Sequence, residues 1–449
     1  MDKTTEPVHG ALRNKEFLKF WTGETISLLG TEVTRFAFPL VAILSLSASA
    51  FEVGVLNAMR YVPVVVVSLF AGVWLDRRRR RPILLYTNLF RAILIGLVPL
   101  AAVTDTLSIE LLYVVALGIG ALTVLFDVGS MSFVPTLVDR QLLADANGRL
   151  QTSFSLAMIA GPSLAGFLVG LFTAPITLTV NAVTMLVSVL MLASLRTHEE
   201  APALPDDRPT VRQSIAEGLR AVFGSRMLRN LLTQSATFNL FQNAMMTVFV
   251  VYAVRTLGLS AQLLGFVLGV GALGALAGAL TANRITKKVG LGRVLFVTTL
   301  AATMSPILFL LARGDDPLSM GILFVSHAIY GINLVIYNVN TLTLRQVVTP
   351  NRLLGRMNAS YRMVLFGTIP LGALLGGTLG QYLGLRQAMV ITVILLLSPI
   401  AWTFFSPVFR LPAMPTGPEE DTPPPAAPVS PAPAAAAQAS PEEPAEASS

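Results

Sequence analysis

Cysteine is absent from this chain of 449 residues. That excludes disulfides, thiolate nucleophiles and cysteine-ligated metals, and it leaves the redox compartment unassigned. Histidine is scarce, and His9, His198 and His327 are too scattered to share a metal ion. Charge is scarce too: Asp, Glu, Lys and Arg make up 13% of the chain, against about 25% in soluble domains. No metalloprotease helix motif, phosphate-binding loop or nucleophile elbow is present, so an enzyme has no residue set to rest on and no cofactor is expected. The polar first 20 residues, with Lys3, Arg13, Lys15 and Lys19, lack the apolar core of a cleavable signal.

What is abundant is apolar sequence, 53% of residues. It falls into runs long enough to cross a bilayer as helices, which takes about 20 residues each. Twelve spans are expected, near 20–46, 52–75, 82–104, 108–132, 148–172, 174–195, 227–254, 261–285, 290–312, 318–342, 357–383 and 387–407. The connection after the second span holds five consecutive arginines, Arg77 to Arg81. Every even-numbered connection carries two or more cations in it or just beyond it (Arg140 and Arg149 at the fourth), whereas the odd-numbered ones hold none or one. Cation-rich loops stay on the cytoplasmic side, so both termini are expected there. The formal charge of +7 therefore reflects membrane topology, and nucleic acid is not an expected partner.

The fold class expected is an all-α membrane protein, with twelve transmembrane helices in two pseudo-symmetric six-helix halves. Residues 1–19 form a cytoplasmic N-terminal segment and 20–195 the first half. Residues 196–226 form a cytoplasmic linker: a Pro- and Asp-containing stretch, then an amphipathic helix with Val211, Ile215, Leu219 and Val222 at helical spacing. The second half is 227–407. The Pro-, Ala- and Glu-rich tail, 408–449, has no periodicity and is expected to be disordered. An internal repeat supports the halving. Leu142, Leu143 and Asn147 match Leu353, Leu354 and Asn358 at an offset of 211, and the same offset pairs Gly161 with Gly372 and Gly166 with Gly377. Parallel six-helix repeats are a known transporter plan, with the substrate path between the halves.

Ionisable groups inside spans are costly unless they face a cavity or a partner. Glu32 and Asp127 are the candidates for proton coupling, with Arg35, Arg60 and Arg91 as charge partners. Glu32 is either a titrating carboxylate or a permanent structural partner of Arg35 or Arg60. Asp127 is expected near the cytoplasmic end of its helix, where water can reach it. No acid lies clearly inside a second-half span, which places any cation site in the first half. Uncharged polar groups cluster on two second-half spans: Asn239, Gln242 and Asn243, then Tyr330, Asn333 and Tyr337. They are candidates to line a cavity, or else form hydrogen bonds between helices. Phe38 and Phe126 are candidate aromatic wall. The pairs Gly265–Gly269 and Gly274–Gly278 are expected to pack tightly, on the helix that carries Gly161 and Pro162.

Several motifs carry a family resemblance. The loop Gly72-x-x-x-Asp76-Arg77-x-x-Arg80-Arg81 resembles the signature of the major facilitator superfamily between its second and third helices. The run Ala160-Gly161-Pro162-Ser163-Leu164-Ala165-Gly166 is similar to the fifth-helix motif of its exporters. Residues 15–408 as a whole resemble the bacterial drug- and siderophore-efflux branch that includes macrolide exporters. The fourth span lacks the arginine common in proton-coupled drug exporters, and Asn181 and Asn283 stand where acids are usual. The resemblance implies a proton-driven exporter in the bacterial cytoplasmic membrane. Its expected partners are a hydrophobic or amphipathic small molecule (drug, antibiotic or secondary metabolite), protons and membrane lipids, and it would act as a monomer. It also implies that Gly72, Asp76, Arg77, Arg80 and Arg81 form a conformational latch, with Asp76 against the helix start near Gly355 to Asn358. The alternatives are a proton-coupled importer and a non-transporting receptor or scaffold.

Overall fold

The first helix begins where Asn14 accepts hydrogen bonds from the backbone N–H groups of Glu16 and Phe17. The same device starts later helices: Ser108, Thr173, Ser225, Ser260 and Asp316 each accept from the first turn that follows. At Asp316 the Ser319 side chain and the N–H groups of Ser319 and Leu318 hold the carboxyl below its ordinary range. These observations come from a computed structural model that describes residues 10–75, 78–196, 199, 211–406, 408, 411 and 415.

Among the described residues the regular structure is helical throughout. In chain order the first six helices are α1 (Lys15–Ser45), α2 (Ala50–Leu75), α3 (Arg80–Val103), α4 (Ile109–Leu137), α5 (Leu143–Leu171) and α6 (Ala174–Ala193). The linker helix is α7 (Val211–Gly224). The remaining six are α8 (Arg226–Arg255), α9 (Ala261–Val289), α10 (Leu291–Leu311), α11 (Pro317–Val348), α12 (Leu354–Leu383) and α13 (Leu385–Phe405). All but α7 are long and apolar enough to cross a membrane. Several overrun the expected spans: α4 ends at Leu137, α5 begins at Leu143 and α11 ends at Val348. The hydropathy boundary falls where the chain leaves lipid, but the helix continues through polar turns. In one such turn Asp145 pairs with Arg149 and accepts from the Ala11 N–H.

The repeat is visible as geometry. A short 3-10 turn, Arg140–Leu142, leads into α5, and its equivalent, Asn351–Leu353, leads into α12. The halves meet along two crossings related by the same offset of 211 residues. On one, a Cβ added at Gly166 would lie 2.5 Å from the Ala261 carbonyl oxygen, and one at Gly265 would lie 2.5 Å from that of Pro162. On the other, a Cβ at Gly377 would lie 2.8 Å from the Ala50 oxygen, and one at Gly54 2.6 Å from that of Ala373. Backbones approach this closely only where both helices present glycine. Both crossings lie at the face opposite the termini. There the Arg255 guanidinium also donates to the Ala48 carbonyl at 2.6 Å, joining α8 to the α1–α2 connection. The pair Gly274–Gly278 does not join the α5 seam as expected. It packs within its own half, on the α11 backbone at Ala328 and Ile332.

The linker helix α7 lies on the start of α12. Gly218 faces the Arg356 carbonyl and Ser360, Glu217 pairs with Arg356, and Val222 is buried near Leu228 and Met357. The Val211 and Ile215 side chains and most of the 408–449 tail lie outside the described residues. At Leu411 the carbonyl accepts from the Gly292 N–H at 2.9 Å.

Candidate functional site

The site is built on α1. Glu32 is 5% exposed, and its Oε1 lies 3.1 Å from the Arg35 guanidinium, one helical turn on. The Arg35 side chain is 43% exposed, so the pair joins a buried carboxylate to a guanidinium at an open surface. The wall behind Glu32 is backbone. A Cβ at Gly161 on α5 would lie 2.4 Å from Glu32 Cβ, and one at Gly30 would lie 2.0 Å from the Thr184 hydroxyl on α6. Asn181 on α6 donates to the Thr34 hydroxyl at 2.6 Å. A neutral amide at 181 therefore holds α6 to α1 and adds no charge beside Glu32.

Arg91 on α3 is buried. It donates to Asn88 at 2.9 Å and to the Thr31 hydroxyl at 3.4 Å, and it lies 5.4 Å from the Phe126 ring centre. Its Nε has no hydrogen-bond partner among the described residues. Asn88 is held in turn by Ser188, at 2.9 Å. The acids whose charge bears most on Arg91 are Asp127 and Glu24. Arg60 lies with its guanidinium 6.0 Å from the Tyr61 ring centre, near Arg35 and Glu32.

Asp127 sits differently from the expectation. Because α4 continues to Leu137, Asp127 is ten residues inside it, roughly 15 Å from its end at 1.5 Å per residue. It is exposed, and the guanidiniums whose charge bears on it are those of Arg91, Arg35 and Arg362. Two of these groups were missed by sequence reasoning. Glu24 lies on α1 eight residues before Glu32, in reach of Asp127 and Arg91. Arg362 lies on α12, and its charge bears on Asp127. The signal for Glu24 was available, as an acid in an apolar helix. The first-half cluster thus holds three carboxylates (Glu24, Glu32, Asp127) and three guanidiniums (Arg35, Arg60, Arg91), a balance that tempers the cost of charge inside a membrane.

The second-half polar groups are less free than expected. Asn239 donates to the Leu365 carbonyl of α12 at 2.9 Å, and Asn243 back to Asn239 at 2.7 Å. Asn333 donates to the Ile329 carbonyl of its own helix at 2.8 Å. Tyr337 is buried and donates to Gln234 at 2.8 Å. Tyr330, stacked on Phe238, has a buried hydroxyl with no partner in normal geometry, and it faces the Gln242 amide. Phe38 and Phe126 are both buried, Phe38 in a core that draws on both halves and Phe126 in one confined to the first; neither forms an open wall.

Of the loop motif, Asp76 and Arg77 lie outside the described residues, and Gly72 lies in α2. The Arg80 and Arg81 N–H groups donate to the Glu199 carboxylate at 2.6 and 3.1 Å. The Arg81 side chain caps the last turn of α6 through the carbonyls of Leu192 and Ala193. Two arginines of the motif thus bind the end of the first half and the start of the linker.

Residues 7–432 match the family described as transmembrane secretion effector. The chain is 26% identical to the multidrug efflux pump Tap of Mycolicibacterium fortuitum over 377 residues, covering 80% of this chain and 88% of that protein. It is 26% identical to the enterobactin exporter EntS of Escherichia coli O1:K1 / APEC, covering 83% and 86%. In fold it is similar to an inward-facing, occupied bacterial homologue of the human lysosomal transporter Spinster, with a TM-score of 0.66 at 16% identity, covering 88% and 97%. By its sequence match and its twelve spanning helices, the chain belongs to the transmembrane secretion effector family of the major facilitator superfamily and is a transporter, not an enzyme.

Proposed function

We propose that this protein exports hydrophobic or amphipathic small molecules by alternating access, driven by proton entry through Glu32. The observation that carries the reading is the Glu32–Arg35 pair. A buried carboxylate is backed by the Gly161 backbone and partnered by a guanidinium at an open surface. Rocking the halves about the glycine crossings would change what faces Arg35, and with it the balance between an ion-paired and a protonated Glu32. Asp127, Glu24 and Arg91 form the adjoining group through which a proton would reach or leave that site. The half-buried Gln242 and the buried Tyr330 hydroxyl it faces supply polar contacts for a bulky ligand. The efflux pump and siderophore exporter among its relatives support export as the direction. Both termini, the linker and the arginine-rich loop face the cytoplasm in this reading, and the monomer is the working unit.

One proton moving down 100 mV releases about 2.3 kcal/mol, enough to concentrate a neutral substrate about fiftyfold. The test uses the purified chain in liposomes with an imposed pH gradient and a panel of amphipathic antibiotics. Uphill movement of at least one compound, collapsed by a protonophore, is expected. Transport that is indifferent to the gradient, or uptake in the opposite sense, would count against proton-driven export.

A further inference from the structure

A groove on the outer side of the first half lies away from the charged cluster. It has a volume of about 490 Å³ and is formed by the end of α2, the following loop, α3 and α4. Arg78 and Arg79 stand at the loop end, flanked by Trp74 and Tyr86. Phe90, Leu122 and Leu125 line the rest. Phe90 is ten residues into α3, so the groove runs roughly 15 Å along that helix at 1.5 Å per residue.

This surface faces lipid. Tyr86, Phe90, Ile93, Leu97 and Leu100 are exposed and recur every three or four residues, forming one apolar stripe along α3. The groove is the terminus-side end of that stripe. Trp74 and Tyr86 have the amphipathic character of side chains that settle at headgroup level. The two arginines are the unusual part. Arg80 and Arg81 are engaged by Glu199 and the end of α6. Arg78 and Arg79 are exposed, and among the described residues no carboxylate pairs with either; Arg78 rests 5.0 Å from the Trp74 ring centre. None of the described residues lining the groove is acidic.

We propose that this groove binds one anionic phospholipid of the leaflet on the terminus side. The phosphate lies against Arg78 and Arg79, and an acyl chain lies along Phe90, Leu122 and Leu125. Charge complementarity selects the anionic headgroup, because basic pockets at the membrane surface hold acidic lipids. The apolar floor, continuous with the lipid-facing stripe, selects a lipid over a free phosphate. The bound lipid neutralises two arginines that no carboxylate among the described residues pairs, and ties the α2–α3 loop to the bilayer.

Native mass spectrometry of the delipidated full chain, titrated with phosphatidylglycerol or with phosphatidylcholine of the same acyl chains, tests this. The wild type is expected to retain phosphatidylglycerol at least about tenfold better than phosphatidylcholine. Arg78→Gln/Arg79→Gln is expected to remove that preference. Leu122→Trp, which fills the groove and keeps both arginines, is expected to lose the retained lipid, and it serves where the double variant is not monodisperse. Equal retention of the two lipids by the wild type overturns the proposal. So does undiminished phosphatidylglycerol on either well-folded variant.

Discussion

Gly161 on α5 lies so close to Glu32 on α1 that a Cβ at position 161 would come within 2.4 Å of Glu32 Cβ. The residue that marks the exporter motif is thus the surface against which the proposed coupling carboxylate rests. Pro162, next in sequence, offers its carbonyl to the Gly265 crossing between the halves. One turn of α5 therefore touches both the acid and the crossing, and in the proposed mechanism this contact transmits a change at Glu32 as movement.

Gly161→Ala tests that contact. A methyl group there must displace either α5 or the Glu32 backbone, and overpacking of this kind costs about 1–3 kcal/mol. The variant is expected to remain folded, to melt at a lower temperature, and to transport much more slowly than wild type. Unchanged melting and unchanged flux would show that the contact tolerates expansion and has no mechanical role.

The two crossings make a paired prediction. Gly54 and Gly265 are related by the repeat and meet equivalent partners, Gly377 and Gly166. Gly54→Leu and Gly265→Leu are each expected to force the face opposite the termini open. A single cysteine at Arg35 in this cysteine-free chain reports it, becoming reactive from that side in either variant. An effect from one substitution and none from the other would contradict a symmetric bearing.

The linker helix gives a contrast in magnitude. Glu217 and Arg356 are both more than a third exposed, and exposed pairs are worth about 0–1 kcal/mol. Glu217→Gln is expected to change the melting temperature little. Gly218→Leu drives a side chain into the Arg356 carbonyl and Ser360, so it is expected to detach α7 and expose it to protease. Equal protease sensitivity in the two variants would mean that the close backbone approach does not anchor the helix.

The twelve spans were legible from the length of the apolar runs, because the bilayer admits few solutions and such runs had to be helices. The repeat was legible because Gly166 and Gly377 fill the same role in each half, and a close crossing tolerates no other residue. The charged cluster was only half legible. Glu32 and Asp127 stood out as acids in apolar sequence, but Glu24 lay near the expected start of its span, and only the helix beginning at Lys15 places it well inside. Arg362, on the other half, bears on Asp127 through its charge, a relation that no local pattern encodes. Phe38 and Phe126 show the opposite limit, since an aromatic ring in an apolar helix reads the same whether it faces a cavity or a neighbour.

Orientation has its own test. Single cysteines at Ser49, in the α1–α2 connection, and at Ser430, in the tail, are expected to differ in labelling by an impermeant thiol reagent on intact cells. Ser49Cys labels and Ser430Cys does not. The reverse pattern places the termini outside and inverts the assignment of the arginine-rich loop.

The central claim is that Glu32 couples proton entry to export. The most direct measurement is substrate flux by Glu32→Gln in proteoliposomes with an imposed proton gradient, beside exchange of labelled substrate without one. Glutamine keeps the size and can still meet Arg35, but it neither loses a proton nor forms the ion pair. The account predicts that gradient-driven uphill transport is abolished while downhill exchange persists. Full uphill transport by the glutamine variant would contradict it and move the coupling site to Asp127 and its neighbour Glu24.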